Sequence, residues 1–569
     1  MKSSILAWGF LFLSYAGYSQ KPLAIPSTLQ GSTFNLHVRH GSMQFLSGNA
    51  TATIGINGNQ LGPTLILNKG DSVQLSVFND LDEPTTMHWH GLHVPAKSDG
   101  SPHIIIETNS VWSPRIKVMD QAGTYWYHPH LHGKTAEQVT KGAAGVIIVR
   151  DPEESALILP RNYGIDDFPI VIQSRAFDAG NQFVTVTAED HTLLINGTID
   201  PSLEVPAQVI RLRVLNGSTN RVYYVGFQGN HPFFQIGSDG GLLESPVNLT
   251  RLMLAPGERA ELLVNLAGLT GQTLDIYSYG SELPNGIYGA ANPGSMGMGT
   301  IAGYTSNPLN GKNFRLIHLI VNSQSQQPVI TIPAKLVSLH KPESSQSTIT
   351  RTLTLSASGM GMGSLSGPFL INDQSFSMDR IDFSAKMGAT EIWQISNRTA
   401  IAHPFHIHGL QFYVMDIGGN QPPLTLKGRK DVVLVPAMQT VRLLMRFDDF
   451  FDPQTPYMFH CHMLSHEDDG MMGQYLVTGI ATGFDNIVVS DRQMVNIYPN
   501  PFKETLTIEI PGIESESARI DLLTSTGQLC LHEIMRVCPY TLDTSTLIPG
   551  LYFARITYGD KALTMKVIR

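Results

Sequence analysis

Cysteine is scarce in this chain, with three residues, Cys461, Cys530 and Cys538, among 569. So few thiols exclude the disulfide framework that staples many small exported folds. Charge is sparse as well. Charged side chains make up 15% of the residues, the net charge is -9, and no long run of either sign occurs, which argues against nucleic-acid or anionic-membrane partners. A spanning helix needs roughly 20 apolar residues. The apolar stretch from Ile5 to Leu13 is shorter than that. It follows Lys2 and precedes small and polar residues, the layout of a secretory signal peptide over residues 1–19, with cleavage expected near Ser19/Gln20. No later segment qualifies as a stable membrane span.

What the chain has in quantity is short runs of Val, Ile, Thr, Tyr and Phe, broken at close intervals by Gly, Pro, Asn and Asp. Strands are expected at Asp71 to Asn79, Gly145 to Val149, Gln208 to Leu215, Arg259 to Val264 and Thr440 to Phe447. An all-β fold follows, with sandwiches favoured over helical bundles. At about 100 to 200 residues per domain the chain holds three or four. Boundaries are expected near Asp151 to Pro160, Asn322 to Pro333 and Thr482 to Arg492, giving domains at 20–155, 156–325, 326–482 and 489–569.

Half of the twenty histidines fall in four clusters: His88-Trp89-His90, His128-Pro129-His130, His403-Pro404-Phe405-His406-Ile407-His408, and His460-Cys461-His462 with His466. In an extended strand the two histidines of an H-x-H unit face the same way, about 6 to 7 Å apart. Four such units offer eight imidazoles as same-face pairs, enough for a cluster of three metal ions. Imidazole suits copper, and no carboxylate run competes. Cys461 sits between two of these histidines and must face away from both, so one strand touches two metal sites. On the cysteine side, Cys461, His466 and Met471 supply most of a blue-copper site, which His403 completes. The alternative, a cysteine buried as a small apolar residue, fits its surroundings poorly.

With these motifs the chain resembles a three-domain bacterial multicopper oxidase of the laccase, bilirubin-oxidase and copper-tolerance group, over roughly residues 25 to 480. The matching stretches are His88-Trp89-His90-Gly91, Tyr127 to Gly133, His403 to Gly409 and His460 to Asp468. The resemblance implies three cupredoxin-like Greek-key sandwiches and four copper ions. His403, Cys461, His466 and Met471 would hold the type 1 copper. His88 and His406 would hold type 2, and His90, His128, His130, His408, His460 and His462 the type 3 pair. The middle domain, which carries no cluster, would be a spacer. Asp99 and Glu467 match acidic residues that the family uses near the cluster, where carboxylates relay protons; a turn role for Asp99 and a ligand-orienting role for Glu467 stay open. His93 and His132 lie off the pattern and are expected to be hydrogen-bonded neighbours.

The last segment carries Tyr498-Pro499-Asn500-Pro501-Phe502, then Thr526-Gly527, Ile548-Pro549-Gly550-Leu551-Tyr552 and a terminal Lys566-Val567-Ile568-Arg569. It resembles the type A C-terminal sorting domain of the type IX secretion system, a small β-sandwich. That implies passage through the periplasm to the cell surface or medium, with the secretion machinery as partner. Whether Cys530 and Cys538 are bridged stays open.

The expected reaction is one-electron oxidation of phenols or aromatic amines at type 1 copper, coupled to four-electron reduction of O2 to water. Copper-tolerance relatives carry a methionine-rich insertion, plus an acidic residue and a methionine before the third cluster. This chain has Thr399 and Ile401 there and keeps only the pairs Met296/Met298 and Met360/Met362. A laccase-like oxidase is therefore preferred, with cuprous oxidase second. A non-catalytic copper carrier has no use for eight further imidazoles, and a copper nitrite reductase none for a type 3 set. The chain is expected to act as a monomer.

Overall fold

The computed structural model describes residues 20–294, 301–357, 365, 367–480, 496–510, 517–524, 527–558 and 561–569. The signal-peptide stretch, both Gly-Met segments and the expected boundary at 482–492 lie outside them. The chain divides into two compact units, residues 1–480 and 481–569.

The larger unit contains three pairs of sheets, each closed on its own core. The first pair joins a four-stranded sheet that includes Gly123–Tyr127 and Gly145–Arg150 to a five-stranded one that includes Thr33–Met43 and Ser72–Asn79. Period-two alternation explains the latter: Val73, Leu75 and Val77 point into a core with Phe34, Leu36 and Ile147. The second pair has six and seven strands, and Lys21–Pro22 pairs with Pro201–Pro206 in its smaller sheet. The third pair has five and five, around Trp393, Phe405, Phe459 and Tyr475.

Where the sandwiches meet, the strands are buried on both faces. All eight residues of Val209–Asn216 are buried. Ile210, Leu212 and Val214 face the second core, while Arg211 and Arg213 on the other face join a buried ion-pair network. Arg213 donates to Asp167 at 2.6 and 2.9 Å, to Glu261 at 2.7 Å and to Thr124 of the first sandwich at 3.1 Å. Fully desolvated charges persist only when paired in this way.

The smaller unit has sheets of three and four strands around Leu506, Ile508, Ile520, Leu522, Ala554 and Ile556. Cys530 and Cys538 are not bridged. The amide of Ile510 donates to Cys538 Sγ at 3.1 Å.

Candidate metal centre

Two neighbouring strands of the third sandwich deliver the densest part of the site. His403–Ile407 runs antiparallel to Asp452–Cys461, with Phe405 opposite Cys461 and His406 opposite His460. Opposed residues share a face, and residues an odd number apart lie on different faces. His403 is therefore with Cys461, and His406 with His460. From the first sandwich come His88 and His128, which exchange backbone hydrogen bonds at 2.8 and 3.1 Å in an isolated bridge. His88-Trp89-His90 and His128-Pro129-His130 thus lie outside regular strands, yet the extended backbone preserves the expected pairing. Ring centroids within the four H-x-H units are 4.9 to 6.2 Å apart, shorter than a strand repeat because the rings lean together.

All eight of these rings are buried and meet at the junction of the two sandwiches. His130 Nε2 lies 3.1 Å from His460 Nε2, and His408 Nε2 lies 3.3 Å from the same atom. Facing them, His90 Nδ1 is 3.3 Å from both His128 Nε2 and His462 Nε2. The six histidines expected at type 3 copper therefore divide into two groups of three. His88 and His406 remain, each with Nε2 buried and without a hydrogen-bond partner.

Second partners fix the tautomers. His88 Nδ1 donates to the Asp99 carbonyl at 2.9 Å, His406 Nδ1 to the Asp431 carbonyl at 2.8 Å, His128 Nδ1 to the Pro129 carbonyl at 2.8 Å and His460 Nδ1 to the Cys461 carbonyl at 3.0 Å. His408 Nδ1 donates to Asp99 Oδ2 at 2.7 Å. A carbonyl or carboxylate only accepts, so the proton sits on that nitrogen and the other carries a bare lone pair. Burial, aided by neighbouring rings, holds His90, His128, His130, His406, His408 and His462 well below the ordinary value. Burial holds His460 at about 3. At neutral pH these rings are uncharged, so His408 and His460 point lone pair at lone pair, as do His90 and His128. A cation held between them turns that repulsion into coordination. The donor set fits copper, which imidazole nitrogen suits.

On the opposite side of the Cys461 strand, Sγ lies 3.5 Å from His403 Nδ1 and 3.5 Å from His466 Nδ1. These three form a buried group with mutual ligand-atom distances within 4.8 Å. Burial pushes the Cys461 thiol up and His466 down to about 3. Met471 is buried in the same core. Its amide bonds the His466 carbonyl at 2.8 Å, and its carbonyl takes the Cys461 amide at 3.1 Å. The loop between them is held from outside. Its short helix Leu464–Asp468 packs on Ala136 and Val139, and Asp468 accepts the amides of Thr135 and Ala136 at 3.0 and 2.8 Å, capping the helix Thr135–Thr140.

Asp99 and Glu467 both reach the histidines. Besides His408, Asp99 Oδ2 is 3.5 Å from His88 Nδ1, and its Oδ1 is buried without a partner. Glu467 lies 3.1 Å from His460 Nδ1 and 3.4 Å from His130 Nδ1. Burial and neighbouring Asp468 hold its carboxyl well above the usual carboxylate range. His93 stays outside the groups, 3.2 Å from Asp449, and His132 lies edge-on to Phe376. Sequence reasoning missed Asp431, which accepts from His90, and Arg259 and Asp239, which hold Asp431 in place. The one signal was the charged pair Lys430-Asp431 directly before the buried strand Val432–Val435.

A multicopper oxidase family model matches residues 37–154 and a second matches 339–479. The "Multicopper oxidase mco" of Staphylococcus haemolyticus is 33% identical over 454 residues, covering 78% of this chain and 88% of that protein. This chain belongs to the multicopper oxidase family. The oxidase also resembles the cell division protein FtsP of Escherichia coli, 31% identical over 82% of this chain and 94% of that one. Among solved structures, a laccase-like multicopper oxidase CueO of Ochrobactrum sp., described with oxidase activity towards lignin model compounds and lignosulfonate, superposes with a TM-score of 0.70. It is 33% identical and covers 80% of this chain and all of that one. The oxidase is an oxidoreductase with copper as its cofactor. A secretion-system C-terminal sorting domain matches residues 496–569, which marks the chain for type IX export to the surface or medium. Among the described residues no helix is long and apolar enough to cross a membrane.

Proposed function

We propose that the oxidase takes single electrons from phenolic or aromatic-amine donors at a type 1 copper and delivers them to a three-copper cluster that reduces O2 to water. His403, Cys461, His466 and Met471 are assigned to type 1, and His88 and His406 to type 2. One type 3 ion is assigned to His90, His128 and His462, the other to His130, His408 and His460. Copper at these positions supplies one-electron redox chemistry and the binding and reduction of dioxygen. The observation that carries this reading is the single stretch His460-Cys461-His462, whose thiol faces one donor group while its two rings complete the other. FtsP shares the fold over as much of the chain, so the fold alone does not carry the reading; the complete donor set does.

Reducing one O2 consumes four protons along with four electrons. We assign their delivery to Asp99 and Glu467, both buried against cluster histidines. Burial and neighbouring Asp468 hold the Glu467 carboxyl well above the usual carboxylate range, which favours its holding a proton beside His460 and His130.

The preference for an organic donor is supported by what lies against His466. A small cavity there is lined by Tyr288, Pro293, Ile301, Leu365, Ile401 and Met463. Among the described residues this wall is apolar and offers no carboxylate for a metal ion, which favours an organic donor over a cation; the cavity itself, of about 10 Å³, has room for no more than a water. Thr399 is turned inward, its hydroxyl 2.8 Å from His403 Nε2, and Ile401 is buried. Cuprous ion is the second reading. Met463 lines the cavity, and Pro293, Ile301 and Leu365 flank both Gly-Met segments in sequence. Oxygen uptake measured side by side with a phenolic donor and with stabilised Cu(I) separates the two. A higher kcat/KM for the phenol is expected; a clear preference for Cu(I) would reverse the assignment.

A further inference from the structure

The second sandwich contributes no histidine to the centre, yet one of its side chains reaches it. Arg259 opens the strand Arg259–Asn265, where Ala260, Leu262 and Val264 face the second core. Arg259, on the other face, is fully buried. Its guanidinium has all five N–H donors engaged, and the acceptors come from all three sandwiches. Nε donates to the Thr124 carbonyl of the first at 3.1 Å. Nη1 and Nη2 donate to the carbonyls of Gly257 and Asp239 in the second at 3.0 and 2.9 Å. The same two nitrogens grip Asp431 of the third as a fork, Nη1 on Oδ1 at 2.6 Å and Nη2 on Oδ2 at 2.5 Å.

Asp431 in turn holds two rings that stack on each other. Its Oδ1 accepts from His90 Nε2 at 3.1 Å and its carbonyl from His406 Nδ1 at 2.8 Å; the rings lie 3.8 Å apart at 9°. The main chain beside it is clamped by the same second sandwich. Lys430 Nζ bonds Asp239 at 2.8 Å and Glu258 at 2.7 Å, and Asp239 also accepts the Val432 amide at 3.2 Å. Gly91 closes the remaining side. A Cβ there would lie 2.5 Å from Asp431 Oδ2 and 2.6 Å from Arg259 Nη2, so no larger residue leaves the pair its place. The middle sandwich is therefore built into the centre and is more than the spacer expected from its lack of clusters.

We propose that Arg259 is a positioning residue of the oxidase: by fixing Asp431 through a planar fork it sets the orientation of His90 and His406, and with it the retention of cluster copper, type 2 first. The inference rests on the assignment of those two histidines as ligands. Lysine can replace the charge of Arg259 but neither the fork nor its five directed bonds. Arg213 is the matched control, equally buried between sandwiches and without a hydrogen bond to any assigned ligand or to Asp431 among those described.

The test compares the copper-loaded full chain with R259K and R213K after dialysis against graded chelator, following copper per chain, the blue type 1 absorption and the type 2 EPR signal. In R259K the blue band is expected to persist, while the type 2 signal is lost at about 10 to 100 times lower chelator strength than in the unaltered chain. In R213K both signals should stay in their original ratio, with a lower melting temperature. Should R259K not fold, D431N takes its place with the same expectation. Retention of type 2 copper in R259K, or equal loss in R213K, would overturn the positioning role. An unaltered, copper-loaded chain without any type 2 signal would overturn the ligand assignment, and this inference with it.

Discussion

Asp99 and Asp431 hold the two stacked histidine pairs of the centre in the same manner from opposite sides. Asp99 takes His88 Nδ1 on its carbonyl and His408 Nδ1 on its carboxylate; Asp431 takes His406 Nδ1 on its carbonyl and His90 Nε2 on its carboxylate. Each aspartate thus binds the first histidine of a unit from its own sandwich and the second histidine of a unit from the other. In each case the two rings lie 3.8 Å apart. The twins differ in what else they touch. Asp431 is locked by Arg259, whereas Asp99 Oδ1 is buried without a partner. Asp99 accordingly keeps one carboxylate oxygen uncommitted, which suits the proton delivery proposed for it.

That difference fixes the outcome at Asp99. In D99N the amide oxygen can still accept from His408, so the copper complement should be kept, but the proton-carrying group is gone. Steady-state oxygen uptake should show kcat lower by about 100-fold with the KM of the donor within about twofold. Loss of copper instead of kcat would make Asp99 a scaffold only.

Glu467 is expected to behave likewise for the other group of rings. E467Q keeps the shape beside His460 and His130 and removes the titratable group. A fall in kcat of about 10- to 100-fold, with the blue absorption unchanged, is the expected result. Undiminished turnover would remove Glu467 from proton delivery.

Acid stability should follow the ion pairs buried on the face of the second sandwich that meets the first. Burial alone would raise the Asp167 carboxyl, but Arg213 and Arg211 pull it down from 3.8 to about 2. A depressed folded value means stability that is present above about pH 4 and lost as pH falls toward 2. In D167N unfolding by urea at pH 7 should show a loss of about 3 kcal/mol, and the gap to the unaltered chain should close near pH 2. A gap independent of pH would contradict the pairing.

Much of this architecture was legible in the chain. The strands expected at Asp71 to Asn79 and Arg259 to Val264 occur as Ser72–Asn79 and Arg259–Asn265, because alternating apolar residues facing one core leave little choice of register. The H-x-H units were legible for the same reason. Asp431 and Arg259 were not. Neither lies in a histidine motif, and a charged residue on or beside a strand reads as solvated unless one knows that another sandwich covers that face. Thr399 was noticed only for what it lacked; its hydrogen bond to His403 depends on the turn after Asn397, whose side chain accepts the Thr399 amide at 2.9 Å.

The most direct measurement is the ratio of donor oxidised to oxygen consumed by the copper-loaded chain, with a one-electron phenolic donor and peroxide assayed in parallel. Four donors per O2 without peroxide is the expected result, since electrons entering at the Cys461 side must reach a cluster able to carry reduction through to water. Two donors per O2 with accumulating peroxide, or no uptake by a chain carrying its full copper, would contradict a three-copper cluster at these eight histidines.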